Sequence, residues 1–178
     1  IRVDNPRGNS RVSIIFMRLP DGNVNGSGFR AANYESLARL EAGKVSVIHS
    51  VDEQSTYTSS QLTDSLLSLM RTYLPSEIRT QANFISRRFP DHSDHLAVGR
   101  YVKRARAQYD DKLPIKFYIG YPIYERPQNV TGEDALQTEA AFLAYSKFDE
   151  AVCHSHEQCR ESKSSYGSYF LRQYQNNE

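Results

Sequence analysis

The chain has 178 residues, 39% of them hydrophobic and 24% charged, with a formal net charge of +1. That is long enough for one globular domain with a real core, and no run approaches the roughly 20 apolar residues of a membrane-spanning helix. The near-even charge gives no drive toward nucleic acid or acidic lipid, and the absence of tryptophan offsets twelve tyrosines as a sign of a stacking platform.

In chain order, Val12–Leu19 is an apolar run rich in branched residues, which predicts a strand covered on both faces. Turn-forming residues from Pro20 to Gly28 then end it. A loop after a parallel strand is where α/β proteins bind ligands, although a plain surface connection reads the same way. Asn33–Leu40 predicts a short helix with Leu37 and Leu40 on one side. Val45–His49 predicts a strand, with His49 either facing a cleft or peripheral. The clearest helix is one that Ser59 or Ser60 can cap, carrying Leu62, Leu66, Leu69, Met70 and Tyr73 at helical spacing until Pro75 stops it.

Glu77–Phe84 reads as a weak strand and residues 85–95 as a sharp turn. A second helix follows from about Ser93 to Tyr109, expected to bury Leu96, Val98, Val102 and Ala105. Its Arg100, Lys103, Arg104 and Arg106 read as a solvated face, with phosphate contact the lesser alternative. Ile115–Tyr121 predicts a late strand. Thr131 and Asp134 resemble a capping box for a helix reaching about Phe148 with Leu136, Ala140, Leu143 and Ala144 on one side. The tyrosine-rich tail, Tyr166–Tyr174, predicts a last short helix. This alternation predicts a single α/β layered domain.

Cys153 and Cys159 are close enough to form a short disulfide loop, worth about 2 kcal/mol by chain entropy. His154 and His156 lie between them, but the spacing is not that of a usual zinc finger. Asn129 and Asn25 each begin a glycosylation tripeptide. These features favour the secretory route (endoplasmic reticulum or extracellular), with a cytoplasmic protein carrying two reduced thiols as the alternative. Phosphate-loop, nucleophile-elbow and dinucleotide fingerprints do not occur. Tyr118, Tyr121 and Tyr124 offer aromatic surface for a sugar or simply pack at a strand end.

The chemistry concentrates in Asp91-His92-Ser93-Asp94-His95. At a helix start His92 and His95, three apart, can face one site. Neutral imidazole is a good zinc ligand, and an adjacent carboxylate can orient it through its other nitrogen. Polar capping of a helix beside a surface loop is the competing reading, and two histidines are too few to close a structural zinc site.

His92-Ser-Asp-His95 resembles the histidine-x-aspartate-histidine motif of the PIG-L/LmbE-like de-N-acetylases. The following LAVGRYVKRA, the earlier MRLPDG, and the later IGYP, AFLAYSKFD and FLRQY are similar to further parts of that family, roughly from Val12 to Tyr174. The resemblance implies a Rossmann-like, mostly parallel sheet with helices on both faces. It also implies zinc-dependent removal of the N-acetyl group from an N-acetylglucosamine-containing substrate, such as N-acetylglucosaminyl-phosphatidylinositol or a related glycoconjugate. By that likeness His95 coordinates Zn2+, His92 and Asp94 are catalytic (Asp94 by holding a histidine in the correct tautomer), and Asp21 and Gly22 line the sugar pocket.

One departure stands out. Family members carry a histidine-proline-aspartate-aspartate stretch after their first strand, supplying zinc ligands and the general base, and the chain has none. The resemblance implies that this stretch and the first strand precede Ile1, so residues 1–178 alone turn over little. The alternative is a catalytically dead carbohydrate-binding or interaction module on the same fold. A nucleic-acid binder using the basic helix is a distant third.

Overall fold

A computed structural model of the chain describes residues 2–84, 90–161 and 166–176. The first half holds β1 (Arg2–Asp4), β2 (Ile14–Phe16), α1 (Leu37–Glu41), β3 (Ile48–His49), β4 (Thr56–Tyr57) and α2 (Ser59–Tyr73). The second holds β5 (Ile78–Gln81), α3 (Ser93–Tyr109), β6 (Ile115–Tyr118), α4 (Gly132–Ser146), α5 (His156–Glu161) and α6 (Tyr166–Tyr169). Two 3-10 turns, Arg30–Ala32 and Tyr121–Glu125, complete the path. Part of the turn expected over residues 85–95 lies outside the described residues, namely 85–89.

The expected Rossmann-like, mostly parallel sheet is not what these strands build. They form three separate two-stranded sheets, β1–β2 and β3–β4 antiparallel and β5–β6 parallel. The run Val12–Leu19 shows why. Arg18 takes a left-handed φ of 54°, which ends the extended backbone, so only Ile14–Phe16 pair. Ile14 and Phe16 are 47% and 42% exposed, an outward-facing hairpin instead of a strand covered on both faces. Only β5 and β6 are joined by the helical crossover that a parallel pair needs, with α3 supplying it.

The N-cap of α2 is Thr58, one residue before the serines expected to cap it. Thr58 accepts the Gln61 N–H at 3.2 Å and the Gln61 side chain accepts the Thr58 N–H at 2.9 Å, a reciprocal capping box. Its buried residues are Leu62, Thr63, Leu67 and Met70, while Tyr73 is exposed.

Helix α3 spans the expected residues with an inner face only partly as expected: Ala105 is buried and Val102 packs half-buried against its cluster. Ala97, Tyr101 and Ala105 are buried with Gly99, whereas Val98 is exposed. The small residues let the neighbouring elements approach closely. Tyr101 joins Leu37, Leu40, Ile48, Tyr57, Leu62 and Ala97 in the main core, and its hydroxyl lies 2.9 Å from Ser59 Oγ. A second cluster packs Leu67, Met70 and Ala105 together. At Gly99 the α3 backbone lies against the end of β5, where an added Cβ would stand 2.8 Å from Asn83 N and 2.9 Å from Ala82 C. The basic face is tied down in part: Arg100 and Arg104 both pair with Glu41 of α1, at 2.6 and 2.9 Å. Arg104 also lies over the Tyr101 ring.

The C-terminal third has its own small core of Cys153, Cys159 and Phe170 with Phe142, Leu143 and Tyr166 against it. Cys153 and Cys159 are joined by a disulfide across six positions, and His156 Nδ1 pairs with Glu139 of α4. Because α5 and α6 are only six and four residues long, the crosslink carries much of their order. Serine at both cysteines is expected to cost this segment about 2 kcal/mol. Hydrogen exchange checks it: amides of 153–161 and 166–170 should speed up well before those of α3.

Candidate metal centre at the start of α3

The site is assembled by loops closing on the first turn of α3. His92 caps that helix, its Nδ1 accepting the Asp94 N–H at 3.2 Å. Ser93 is gripped by the Asp21–Gly28 loop, donating its N–H to Val24 O at 3.0 Å and its hydroxyl to Asn23 O at 2.7 Å. The loop closes on itself through the Gly28 N–H and Gly22 O at 2.8 Å. Gly22 permits the fit, because a Cβ there would stand 2.8 Å from Ser36 Cβ and collide with Asp94 Oδ1. Its N–H donates to Asp94 Oδ2 at 2.7 Å.

This folding sets Asp21 Oδ1 3.4 Å from His92 Nε2. Asp21, His92 and Asp94 then offer ligand atoms that all lie within 4.8 Å of one another. Asp21 is exposed and the other two are half-buried. Asp94 is the informative member, since its buried Oδ1 has no hydrogen-bond partner among the described residues. Burial pushes the Asp94 carboxyl above its ordinary range, with Asp21 adding to the rise and the Gly22 N–H and His92 opposing it. A cation held by this carboxylate would relieve its desolvated charge. The Asp94 oxygen toward His92 is Oδ2, 3.8 Å from Nδ1, while Oδ1 lies toward Gly22 and Ser36. One imidazole nitrogen with two carboxylate oxygens is a donor set that zinc accepts, as do other divalent ions that bind nitrogen and oxygen. The residues therefore fit a metal ion.

His95 lies outside that group of three but on the same cavity wall. The cavity measures about 470 Å³ and is lined by Met17, Leu19, Asp21, His92, Asp94, His95, Val98 and Tyr121 among others, within the roughly 300–1,000 Å³ of small-molecule sites. His95 Nδ1 is 2.9 Å from Asp91 Oδ1, and the Asp91 side chain is fully buried. The same carboxylate accepts the N–H groups of His92 at 2.8 Å, Gly120 at 2.8 Å and Tyr121 at 3.2 Å. Burial by itself would raise its pKa, yet the His95 and backbone hydrogen bonds hold it below the ordinary carboxylate range. The Tyr121 ring stands 4.9 Å from the His95 ring.

Of the residues singled out in the sequence, Asp21, Gly22, His92, Asp94 and His95 come together here. Asp91 and Tyr121, also noted in the sequence but given no role at a metal centre, join them. Asp91 was visible as an acid four positions before His95, but its backbone partners at Gly120 and Tyr121 left no sequence signal. His49 stands elsewhere, its Nδ1 2.7 Å from the buried Glu35. Both atoms of the Asn129 amide are bonded to the Gln173 backbone, at 2.7 and 2.9 Å, while Asn25 Oδ1 accepts the Ser27 N–H at 3.0 Å. A cleft of about 520 Å³ beside Asn129 and Gln173 has hydroxyl, amide and Asp134 side chains but no imidazole. No helix among the described residues is long and apolar enough to cross a membrane. No family model, curated protein or solved structure matches the chain, so the chemistry of the site rests on its own donors.

Proposed function

We propose that the chain is a zinc-dependent hydrolase of the PIG-L/LmbE-like de-N-acetylase class, acting on the N-acetyl group of an N-acetylglucosamine-containing substrate. The observation that carries this reading is the Asp21–His92–Asp94 group, with its unpartnered Asp94 Oδ1, beside His95 in one cavity.

The hydrogen bonds suggest different work for the two imidazoles. His92 Nδ1 accepts a backbone N–H, so a neutral His92 ring carries its proton on Nε2. That makes His92 a donor, suited to charge developing on a carbonyl oxygen or to a departing amine. The resemblance assigns zinc to His95, whose Nδ1 is engaged by Asp91. The ligand atoms within 4.8 Å of one another belong instead to Asp21, His92 and Asp94, so zinc content in the two histidine variants decides which imidazole takes the ion. When bound, zinc would supply a Lewis acid and lower the pKa of water toward about 7. The aspartate base expected from the resemblance is absent from residues 1–178, so turnover by these residues alone is expected to be low. The Cys153–Cys159 disulfide supports a secretory setting.

Zinc content per chain and release of free amine from an N-acetylglucosaminide test the reading. Near-stoichiometric zinc is expected in the unsubstituted protein, and its loss in His95→Ala with retention in His92→Ala would support the assignment that the resemblance gives. Zinc lost from His92→Ala but kept by His95→Ala would reverse the assignment. A chain that binds the sugar without zinc and without releasing amine would be a carbohydrate-binding module.

A further inference from the structure

We infer that Asp91 is a positioning residue that fixes His95 as the tautomer protonated on Nδ1, so that Nε2 keeps the ring's only lone pair for the cavity. The argument is one of donors and acceptors. Asp91 Oδ2 faces the Gly120 N–H at 2.8 Å, while Oδ1 faces the N–H groups of His92 and Tyr121 at 2.8 and 3.2 Å. A backbone N–H can only donate, so both oxygens already act as acceptors, which favours the ionised carboxylate over a carboxyl that would donate to His95. The contact between His95 Nδ1 and Asp91 Oδ1 at 2.9 Å therefore has the histidine as donor. A neutral imidazole that donates from one nitrogen accepts at the other.

Gly120 gives independent support. A Cβ there would stand 2.6 Å from Asp91 Oδ2 and 2.6 Å from His95 Nδ1. Only a residue without a side chain brings its N–H onto this carboxylate while leaving the imidazole in place. The same grip joins the turn after β6 to the start of α3 and sets the Tyr121 ring beside His95. The usefulness of that lone pair rests on the proposed hydrolase, because a histidine ligand to zinc is oriented by an acceptor at its second nitrogen. The tautomer itself does not depend on that reading.

Nitrogen-15 NMR of the histidine side chains distinguishes the two. Spectra are taken without metal at about pH 8, above the ordinary imidazole range, with the His95 signals assigned by their loss in His95→Gln. The unsubstituted protein should show His95 protonated on Nδ1, and Asp91→Ala should move the proton to Nε2, the site free imidazole side chains prefer. A proton on Nε2 in the unsubstituted protein would overturn the inference, even if Asp91→Ala cannot be folded. So would an unchanged tautomer in folded Asp91→Ala. Zinc titration is read separately. A 10- to 100-fold affinity loss, roughly the range for such outer partners, supports both proposals. The expected tautomer with no zinc binding leaves the Asp91 role standing and removes the hydrolase.

Discussion

Replacing Asp94 with asparagine is expected to stabilise the metal-free protein and, in the same step, to weaken zinc binding by at least about tenfold. Asp94 is a desolvated carboxylate with one oxygen bonded to the Gly22 N–H and the other buried without a partner. Asparagine keeps an oxygen for Gly22 and removes the charge. The gain should be roughly 1 kcal/mol, because the buried charge is removed while an amide NH2 still takes the place of the unpartnered Oδ1. The pH dependence follows from the raised carboxyl pKa. The folded state holds the Asp94 proton more tightly than the unfolded state does. Stability is therefore lost as pH rises from the ordinary carboxylate range through the raised value, and the asparagine variant escapes that loss. Urea melts in a chelator should show the variant ahead at pH 7 and the gap narrowing as pH falls toward about 4, below which it stays closed. A variant less stable than the parent at pH 7 would mean that Oδ1 is satisfied in solution by something other than a metal.

Gly99→Ala is expected to lower stability by about 3 kcal/mol, roughly 10 °C in Tm. The sign is opposite to intrinsic propensity, since alanine in place of glycine within a helix ordinarily gains up to about 1 kcal/mol. The difference is what the methyl meets. Gln81 O, Asn83 N and Ala82 C are backbone atoms at the end of β5, and backbone cannot rotate aside as a side-chain tip can. The helix must then shift outward, carrying Asp94 and His95 with it, so zinc affinity should fall along with Tm. Thermal melts check the first effect and zinc titration the second.

These cases show how far the sequence could be read. The span of α3 was legible because Ser93–Tyr109 is an unbroken helical stretch ending near Asp110, and the imidazoles and carboxylates of HSDH advertise their chemistry by type. The inner face of α3 was only partly so. Periodicity weights hydrophobicity and so found Val102 and Ala105 but also picked Val98, which is exposed, and missed Ala97 and Gly99, whose small volume the close approach to neighbouring elements selects. The Val12–Leu19 run misled for a related reason. Branched residues suit any extended backbone, exposed or buried, and whether a strand joins a large sheet depends on partners distant in the chain. The cleft was legible only in parts. Asp21 and Gly22 were placed in it by likeness, but the Gly22 N–H on Asp94 bridges 72 positions. The Gly120 N–H on Asp91 bridges 29, and local pattern carries neither.

Those two spans also govern when the site comes into existence. Contacts of such sequence separation require long loops to close before they return any stabilisation. The pocket is therefore expected to form late in folding, which folding kinetics of Gly22→Ala and Gly120→Ala would check by a change in unfolding rate with little change in folding rate. Whatever occupies the site acts on the escape rate from the native state, lengthening its lifetime, and leaves the speed of reaching that state nearly untouched.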